Sequence, residues 1–422
     1  MNQMDRDKVR DLLEAHPLPQ NAPFFHYGTA GFRYEAELLD STMLRMGMLA
    51  ALRSKYHGGK SVGIMVTASH NGHEDNGIKL ADAPRGQMLD DDRWEGWAVE
   101  LCNASTSSEA LNVLDSIISE TLTFETASVV HFGRDTRSHS SALCALAQQG
   151  AQSISITRTV MHGEVTTPML HHFVMCANHT HYSMPLALQS DQTMLESAEA
   201  YYNHTLTTAF LALLQTSPHS PNPTTLMVDC ACGVGAPKLN SLKRCIPPEA
   251  HALMGATRFQ IVNSVDDGPL NHECGAEHVQ KLQLPPKVYN TLNLSKGDRW
   301  CSLDGDGDRL VYFWYDCSKK FHLLDGDRIA VLLAQFLQPE LQILEQALDT
   351  RLKLGVVQTA YANGNSTAYL KVSVTCLIAE QKLNQSTNFF NIHLGCIERG
   401  ECTCDSSQNW RQVCSRGGRG GF

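Results

Sequence analysis

The feature that most constrains the fold of this chain is the alternation of short apolar runs with longer helical patterns. Three runs rich in β-branched residues predict buried strands, at Ser61–Val66, Ala127–Phe132 and Thr225–Val228. Apolar side chains recur three and four positions apart in Thr42–Leu52 and Met194–Leu214, which is the spacing of amphipathic helices. This alternation favours an α/β fold with largely parallel sheets flanked by helices.

The length of the chain predicts more than one domain. At about 150 residues per domain, 422 residues correspond to about three domains. We predict joints near residues 185 and 296, which gives a first domain over 1–185, a second over 186–296 and a partial third over 297–370. After Leu370 the sequence becomes rich in Asn, Gln, Ser and Cys, so we predict that residues 371–422 form an atypical, flexible tail.

Charge and cysteine usage limit the partners and the compartment. The formal net charge of -10 predicts a field that repels polyanions, so we expect no nucleic acid and no membrane as partner. The charged start Met1–Asp7 lacks the apolar run of a signal peptide. The 14 cysteines follow no framework spacing, which is typical of reduced thiols. We therefore expect a cytoplasmic protein, and the sequence leaves its oligomeric state open.

A first candidate site follows the first predicted strand. The segment Thr67–Gly72 contains Ser69, His70 and Asn71 directly after the apolar run. The carboxyl end of a parallel strand is where open α/β sheets place their ligands. Ser and Asn at such a place are also the ordinary caps of a following helix, and the segment alone does not decide between the two interpretations.

A second candidate site is a loop of alternating aspartates. Asp304, Asp306 and Asp308 are separated by glycines and precede the strand-like Leu310–Phe313. Three carboxylates at alternate positions can surround one hard cation and leave ligand positions for phosphate oxygen and water. An EF-hand calcium loop is excluded because its sixth position would be Arg309 instead of glycine. A solvated acidic turn stays the alternative.

Several segments together resemble a known superfamily. Gly28–Arg33, Thr67–Asn71 and Asp304–Arg309, in this order, are similar to the opening loop, phosphoserine loop and metal loop of the α-D-phosphohexomutases. Four further segments resemble the eukaryotic phosphoacetylglucosamine mutase family in particular: Glu74–Leu80, Gly163–Pro168, Val228–Gly235 and Gln358–Gly364. The resemblance runs from about residue 10 to Leu370 and implies a multi-domain phosphohexomutase architecture with mixed parallel sheets.

The resemblance implies a reaction and a set of ligands. It implies interconversion of N-acetylglucosamine 6-phosphate and 1-phosphate through a sugar bisphosphate, as a step toward UDP-N-acetylglucosamine, with a small sugar phosphate as partner. Ser69 would carry the phosphoryl group. Asp304, Asp306, Asp308 and the phosphorylated Ser69 would hold Mg²⁺, which neutralises charge on the transferred group.

Charged residues near these loops are candidates for proton transfer and phosphate binding. Lys79 is the first candidate for moving the proton of the sugar hydroxyl, provided that its pKa is depressed, and His70 is the second. Charge screening by Lys79 and a hydrogen bond of His70 within its own loop remain open. Arg33 and Arg309 are predicted to clamp phosphate through their planar guanidinium groups. Arg134–Arg137 fits either another family segment or a structural Asp-Arg bridge.

Other clusters give weaker signals. His171, His172, Cys176, His179 and His181 carry metal-ligating side chains, but their spacing matches no standard zinc pattern, so we predict surface or packing roles. Four cysteines in the tail also lack a CxxC pair: Cys396, Cys402, Cys404 and Cys414. A single RGG-like repeat at the end of the sequence is a weak signal for RNA binding.

The sequence also departs from the family it resembles. The family has a fourth domain whose loop binds the non-reacting phosphate, and a third-domain loop with a glutamate that grips sugar hydroxyls. We recognise neither after Leu370. Both loops provide remote binding energy, so we expect little or no mutase turnover from this chain. The alternatives are a catalytically impaired homologue with a binding or regulatory role, or a mutase that acts on other hexose phosphates.

Overall fold

The structure is a computed structural model. The residues that it describes are 4–28, 31–121, 126–179, 191–216, 225–247, 258–292, 299–348, 352–359, 363–373, 377–381 and 392–396. Within these ranges, no helix combines the length and the apolar character that crossing a bilayer requires. The described strands form three mixed sheets with helices packed against them, which confirms the predicted α/β class.

The first sheet contains six strands in the order β1-β3-β2-β5-β6, with β4 paired to β3. Its strands are β1 (Phe32–Glu35), β2 (Val62–Val66), β3 (Asp75–Asp82), β4 (Gln87–Met88), β5 (Ser128–Arg134) and β6 (Thr157–Glu164). Strands β2, β5 and β6 are parallel, whereas β3 runs antiparallel to both β1 and β2. Two of the predicted strands, β2 and β5, are thereby confirmed.

Helices cover both faces of this sheet. They are α1 (Arg6–Ala15), α2 (Asp40–Tyr56), α3 (Asp92–Asn103), α4 (Ser107–Thr121), α5 (Ser140–Ser153) and α6 (Thr167–Asn178), with a short 3₁₀ turn at Ala36–Leu38. Side chains of β2 alternate between the faces: Ile64 joins the large core under α2 and α5, while Met65 joins the smaller core under α6. Helix α6 begins at the capping residue Thr166, whose side chain accepts the amide hydrogen of Met169 at 3.2 Å.

The second sheet has the order β11-β10-β9-β7-β8. Its strands are β7 (Thr225–Asp229), β8 (Arg258–Val262), β9 (Arg299–Leu303), β10 (Leu310–Tyr315) and β11 (Phe321–Leu324), and its neighbouring helices are α7 (Asp191–Thr216), α8 (Gly235–Arg244) and α9 (Gly275–Leu282), with a 3₁₀ turn at Lys287–Thr291. Strand β7 pairs in parallel with both β8 and β9. The predicted joint at 296 is wrong, because this sheet continues on both sides of it and the aspartate loop between β9 and β10 belongs to the second sheet.

The third sheet contains β12 (Leu352–Thr359), flanked by β13 (Leu377–Gln381) in parallel and β14 (Ile392–Cys396) in antiparallel orientation. Helices α10 (Gly326–Leu348) and α11 (Gly364–Ser373) accompany it. The predicted change to an irregular tail at residue 371 is therefore wrong, because strands on both edges of β12 come from beyond it. The RGG-like end, Cys402, Cys404 and Cys414 lie outside the described residues.

Candidate active site

Ser69 lies in the loop that follows β2, where the first sheet meets the second. It is 2% exposed, and its backbone adopts a left-handed conformation with φ of 48°. Such a conformation is uncommon for residues other than glycine and clusters at functional sites. The Ser69 amide donates to Thr67 Oγ1 at 2.9 Å, and the Ser69 hydroxyl donates to Asp306 Oδ2 at 3.0 Å. The two loops predicted separately from the sequence are thus in direct contact.

The aspartate loop connects β9 to β10 and packs tightly below Ser69. Carboxylate oxygens of Asp304, Asp306 and Asp308 lie within 4.8 Å of one another. A Cβ atom on Gly305 would lie 2.8 Å from the Ser69 carbonyl oxygen, so a larger residue would push the two loops apart. Glycine at this position therefore permits the close approach that brings the carboxylates to the serine.

Asp306 is the centre of the polar contacts. It is fully buried, and its Oδ2 atom accepts hydrogen bonds from Ser69 Oγ at 3.0 Å, Lys79 Nζ at 2.8 Å and Thr167 Oγ1 at 2.6 Å. Burial alone would raise the pKa of Asp306, but Lys79 and the hydrogen bonds outweigh it and hold the pKa below its usual value. Its other oxygen, Oδ1, is buried and has no hydrogen-bond partner among the described residues.

Lys79 reaches the same group from β3. Its ammonium donates to Ser69 Oγ at 2.6 Å, Asp306 Oδ2 at 2.8 Å and Asp308 Oδ2 at 3.0 Å, and the residue is 2% exposed. Burial would lower the pKa of Lys79, but the two aspartates outweigh burial and the net pKa is raised. Its predicted role in proton transfer required a depressed pKa, and the direction in this structure is the opposite because the lysine neutralises two buried carboxylates.

Asp304 is held on the other side of the loop. Its Oδ1 atom accepts the backbone amides of Asp308 and Arg309, both at 3.1 Å, and its Oδ2 atom accepts Arg309 Nε at 3.0 Å. Burial, Asp308 and Asp306 raise the pKa of Asp304 well above its usual value. Arg309 also donates from NH1 to Glu277 Oε2 at 2.8 Å, and its buried NH2 group has no partner among the described residues.

His70 does not touch the hydroxyl of Ser69 through any described hydrogen bond. Its Nε2 atom lies 4.0 Å from Glu277 Oε1. Burial lowers the pKa of His70 to about 3, and the charges of Arg309 and Arg33 act in the same direction. The imidazole is therefore neutral near neutral pH, and of the two candidates for proton transfer only Lys79 contacts the serine.

Arg33 and the Arg134–Arg137 segment support the serine loop. Arg33 NH1 donates to Asn71 Oδ1 at 3.3 Å. The pKa of Arg33 is lowered, and burial is the largest cause. Asp135 forms a buried ion pair with Arg137, whose NH2 group donates to the Asn71 carbonyl at 2.9 Å. The structural bridge that the sequence allowed for Arg134–Arg137 is therefore present, and it braces the serine loop.

Three further residues complete the site and had no predicted role. Thr167 bonds Asp306 from the start of α6, Asn271 donates from Nδ2 to the Ser69 carbonyl at 2.7 Å and to the Asn71 carbonyl at 3.0 Å, and Glu277 contacts Arg309. Thr167 lies in Gly163–Pro168, a segment that carried the family resemblance, so that match was a usable signal. Asn271 contacts a residue 202 positions away, and Glu277 contacts one 32 positions away. Contacts between residues this far apart leave no pattern in the local sequence.

The described members of the histidine and cysteine group lie on α6 and at its end. His171 bonds the Gly86 carbonyl, and His172 lies 3.3 Å from Cys176 within α6. His179 follows the end of that helix, and His181 lies outside the described residues. The described members therefore bond to the backbone or to each other along one helix.

The residues of the aspartate loop fit a hard divalent cation. Carboxylate oxygens are the ligands that Mg²⁺ prefers. The buried Oδ1 atom of Asp306 lacks a donor, and the Lys79 ammonium already draws Ser69, Asp306 and Asp308 oxygens around one positive charge. The donor set is therefore one that gathers around a cation.

Family profiles match three parts of the chain. "Phosphoglucomutase/phosphomannomutase, alpha/beta/alpha domain I" matches residues 33–95, "Phosphoacetylglucosamine mutase AMG1, domain II" matches 193–311, and "Phosphoacetylglucosamine mutase AMG1, domain III" matches 325–394. The last two profiles place the aspartate loop in domain II and extend domain III past Leu370, in agreement with the sheets. The serine on the first sheet faces three aspartates on the second, and together with these profiles this places the chain in the α-D-phosphohexomutase superfamily.

Similar proteins narrow the class. The chain is 39% identical to human phosphoacetylglucosamine mutase over 384 residues, which cover 88% of this chain and 64% of that protein. It matches a crystal structure of an alanine variant of Aspergillus fumigatus N-acetylphosphoglucosamine mutase in complex with glucose 1,6-bisphosphate, with 36% identity, a TM-score of 0.76, and coverage of 89% of this chain and 65% of that one. An apo structure of N-acetylglucosamine-phosphate mutase matches with 34% identity, a TM-score of 0.72 and coverage of 90% and 77%.

The chain belongs to the phosphoacetylglucosamine mutase family. It spans 64% of the length of the human and pig relatives. The family assignment predicted from the motifs is thereby confirmed.

Proposed function

We propose that this chain interconverts N-acetylglucosamine 6-phosphate and N-acetylglucosamine 1-phosphate by way of a phosphoserine and a sugar bisphosphate, in UDP-N-acetylglucosamine biosynthesis. The observation that carries the proposal is the buried contact of the Ser69 hydroxyl with both Asp306 and Lys79. A serine held against a carboxylate loop and a cation has the partners that a phosphoryl carrier needs. Relatives with these names support the choice of sugar.

Ser69 is the proposed phosphoryl carrier. Its phosphorylated form would give the phosphoryl group to a hydroxyl of the sugar monophosphate, and the Ser69 oxygen would leave as the P–O bond to the sugar forms. The resulting bisphosphate would return its other phosphoryl group to Ser69 after the sugar turns over. The left-handed backbone at Ser69 and the hydrogen bond that its amide donates to Thr67 Oγ1 fix the position of the Ser69 loop.

Mg²⁺ is the proposed cofactor, held by Asp304, Asp306, Asp308 and the phosphorylated Ser69. When bound, it would neutralise charge that develops on the phosphoryl group. A crystal structure of the A. fumigatus mutase was obtained with N-acetylglucosamine 6-phosphate and magnesium. In this chain the buried Oδ1 atom of Asp306 is the oxygen that lacks a partner.

Lys79 and the two arginines are proposed to manage the remaining charge. Lys79 lies against the Ser69 oxygen, and because its pKa is raised its proposed role is to screen charge there, which leaves the neutral His70 as the proposed acceptor for the proton of the sugar hydroxyl. Arg309 offers its unpaired NH2 group and Arg33 its guanidinium to phosphate oxygens. Because Asp304 and Glu277 already hold Arg309, its donor is oriented before substrate arrives.

A direct assay tests the proposed reaction. The chain is incubated with N-acetylglucosamine 1-phosphate, Mg²⁺ and catalytic glucose 1,6-bisphosphate, and the 6-phosphate product is followed. Any product that the wild-type chain forms should be absent from Ser69→Ala. Product formation by Ser69→Ala at the wild-type rate would refute the role of the serine.

Parallel reactions with glucose 1-phosphate and mannose 1-phosphate test the sugar. The proposal expects the N-acetylated substrate to have the highest kcat/KM, and faster turnover of either plain hexose phosphate would refute the assignment.

We also propose a cytoplasmic location. All nine cysteines whose side chains the structure describes are free thiols, and free thiols are typical of the reducing cytoplasm.

A further inference from the structure

Two thiols from separate loops meet beside the serine loop. Cys232 lies three positions after the end of β7, and Cys274 directly precedes α9. They pack with Ala231 in a small buried cluster of their own, which brings the two side chains together. Cys232 is 5% exposed and Cys274 is 4% exposed. The contact therefore joins two segments that are distant in sequence.

Each of these loops also touches the site. On the Cys232 side, the amide of Val234 donates to the Gly305 carbonyl in the aspartate loop at 3.1 Å. On the Cys274 side, Asn271 donates to the Ser69 carbonyl at 2.7 Å. The thiol pair therefore bridges a segment that contacts the aspartate loop and a segment that contacts the serine loop.

The backbone around the pair is constrained. The amide of Asn271 donates to the Ala231 carbonyl at 2.9 Å, so the two loops are already tied at one point. Ala231 and Cys232 both have positive φ angles, of 56° and 54°. A Cβ atom on Gly275 would lie 2.8 Å from the Ala231 side chain, which leaves little free space between the loops. The two loops therefore have little room to adjust around the pair.

The two thiols differ in reactivity. The hydrogen bond that Cys274 donates lowers the pKa of Cys232, against the opposing effect of burial. The thiolate is the form of cysteine that reacts with oxidants. Cys232 is thus the nucleophile of the pair, and Cys274 is placed to resolve what forms on it.

We propose that Cys232 and Cys274 are a reversible oxidation site that closes to a disulfide with hydrogen peroxide as the oxidant. A small oxidant suits thiols of such low exposure. The Cys232 thiolate attacks one peroxide oxygen, the O–O bond breaks, and the departing hydroxide takes a proton to become water. The Cys274 sulfur then attacks the Cys232 sulfenic acid, and its oxygen leaves as water with the Cys274 proton. Two thiols and one peroxide thereby give one disulfide and two waters.

The disulfide would act on the serine loop. A disulfide holds its sulfurs about 2.05 Å apart, closer than two unbonded sulfurs, so its formation would draw the two loops together. Asn271 lies three positions before Cys274 and would carry that shift to the Ser69 carbonyl. On the proposed function of Ser69, oxidation should slow phosphoryl uptake by about tenfold, or about 1.4 kcal/mol of barrier.

Peptide mapping tests the site without reference to activity. The reduced chain is treated with hydrogen peroxide, the remaining thiols are alkylated in denaturant, and linked peptides are identified by mass spectrometry. A Cys232–Cys274 linkage that dithiothreitol reverses is expected in wild type and in Cys301→Ala, a buried cysteine of β9 used as control. Cys232→Ala and Cys274→Ala should lack it. Thiols that both stay alkylatable, or that pair elsewhere, would overturn the proposal.

A second measurement tests the link to the serine. Phosphorylation of Ser69 by glucose 1,6-bisphosphate is timed before and after oxidation, with and without dithiothreitol. Wild type should slow about tenfold on oxidation and recover on reduction, while Cys274→Ala should keep its rate. A disulfide that forms without changing this rate would overturn the coupling to the serine loop. If the reduced chain takes up no phosphoryl group, the proposed function fails while the mapping result stands by itself.

Discussion

Replacing Lys79 with methionine tests how the site is held together. The Lys79 ammonium is the only described cation within 3.0 Å of both Asp306 Oδ2 and Asp308 Oδ2, and all three residues are almost fully excluded from solvent. Methionine keeps the length of the side chain and removes the charge, so two buried carboxylates lose their partner. Breaking a buried ion pair in this way costs about 3–5 kcal/mol. In the absence of metal, we therefore expect Lys79→Met to lower the free energy of unfolding by about 3–5 kcal/mol.

The loss converts to a melting temperature that can be measured. For a domain of about 150–250 residues, 1 kcal/mol shifts the midpoint by about 2–4 °C, so the variant should melt roughly 6–20 °C below wild type in EDTA. Mg²⁺ should restore part of this, because bound ligand at about 100 times its Kd adds about 2.7 kcal/mol. Without the competing ammonium, the variant should also bind Mg²⁺ more tightly than wild type does. Scanning calorimetry in EDTA and in MgCl₂ gives both numbers.

A matched control separates the buried site from charge in general. Lys287 pairs with Glu273 on the surface and its side chain is 73% exposed, so Lys287→Met should leave the melting temperature close to that of wild type. If Lys79→Met melted within about 2 °C of wild type in EDTA, the ion pairs of Lys79 with Asp306 and Asp308 would contribute less than about 1 kcal/mol. That result would contradict a stabilising role for the lysine. Equal stabilisation of variant and wild type by Mg²⁺ would contradict the competition between lysine and metal.

Three further predictions concern other parts of the structure. Asp306→Asn should weaken Mg²⁺ binding in calorimetry by about tenfold, or 1.4 kcal/mol, and unchanged affinity would remove this residue from the metal site. Gly150→Ala should lower the free energy of unfolding by about 1–3 kcal/mol because its Cβ would lie 1.9 Å from a backbone oxygen of α2, whereas Gly96→Ala, which has open space, should not destabilise. Burial would raise the pKa of Asp82, but its hydrogen-bonding partners outweigh burial and hold it below the ordinary 3.8. The stability from its pair with Arg53 is therefore present above that value and lost as pH falls through the folded pKa, so Asp82→Asn should flatten the acid side of a pH-melting curve, and an unchanged curve would argue against this.

Local patterns in the sequence predicted the parts of the fold that depend on local residues. The β-branched runs became β2, β5 and β7, and the long apolar periodicities became α2 and α7. The aspartate spacing predicted a carboxylate cluster, because alternate residues in a glycine-containing loop can turn to one side. These are features that a few neighbouring residues determine by themselves.

Features that depend on distant pairing could not be read in the same way. The joint predicted at 296 missed that β9 pairs in parallel with β7, which lies more than 60 positions earlier, since no local pattern records a partner strand. The apolar stretches of β13 and β14 were short and surrounded by polar residues, so they read as a tail. Asn271 reaches the Ser69 carbonyl across 202 positions. The pKa of Lys79 depends on carboxylates that only folding brings near it.

Phosphorylation of Ser69 is the most direct test of the account. The chain is incubated with Mg²⁺ and glucose 1,6-bisphosphate, and intact-mass measurement and peptide mapping locate any phosphoryl group gained. The contacts of the Ser69 hydroxyl with Asp306 and Lys79 predict one phosphoryl group on Ser69, absent from Ser69→Ala and reduced when Mg²⁺ is removed. A phosphoryl group that maps to another residue while Ser69 stays unmodified would contradict the account.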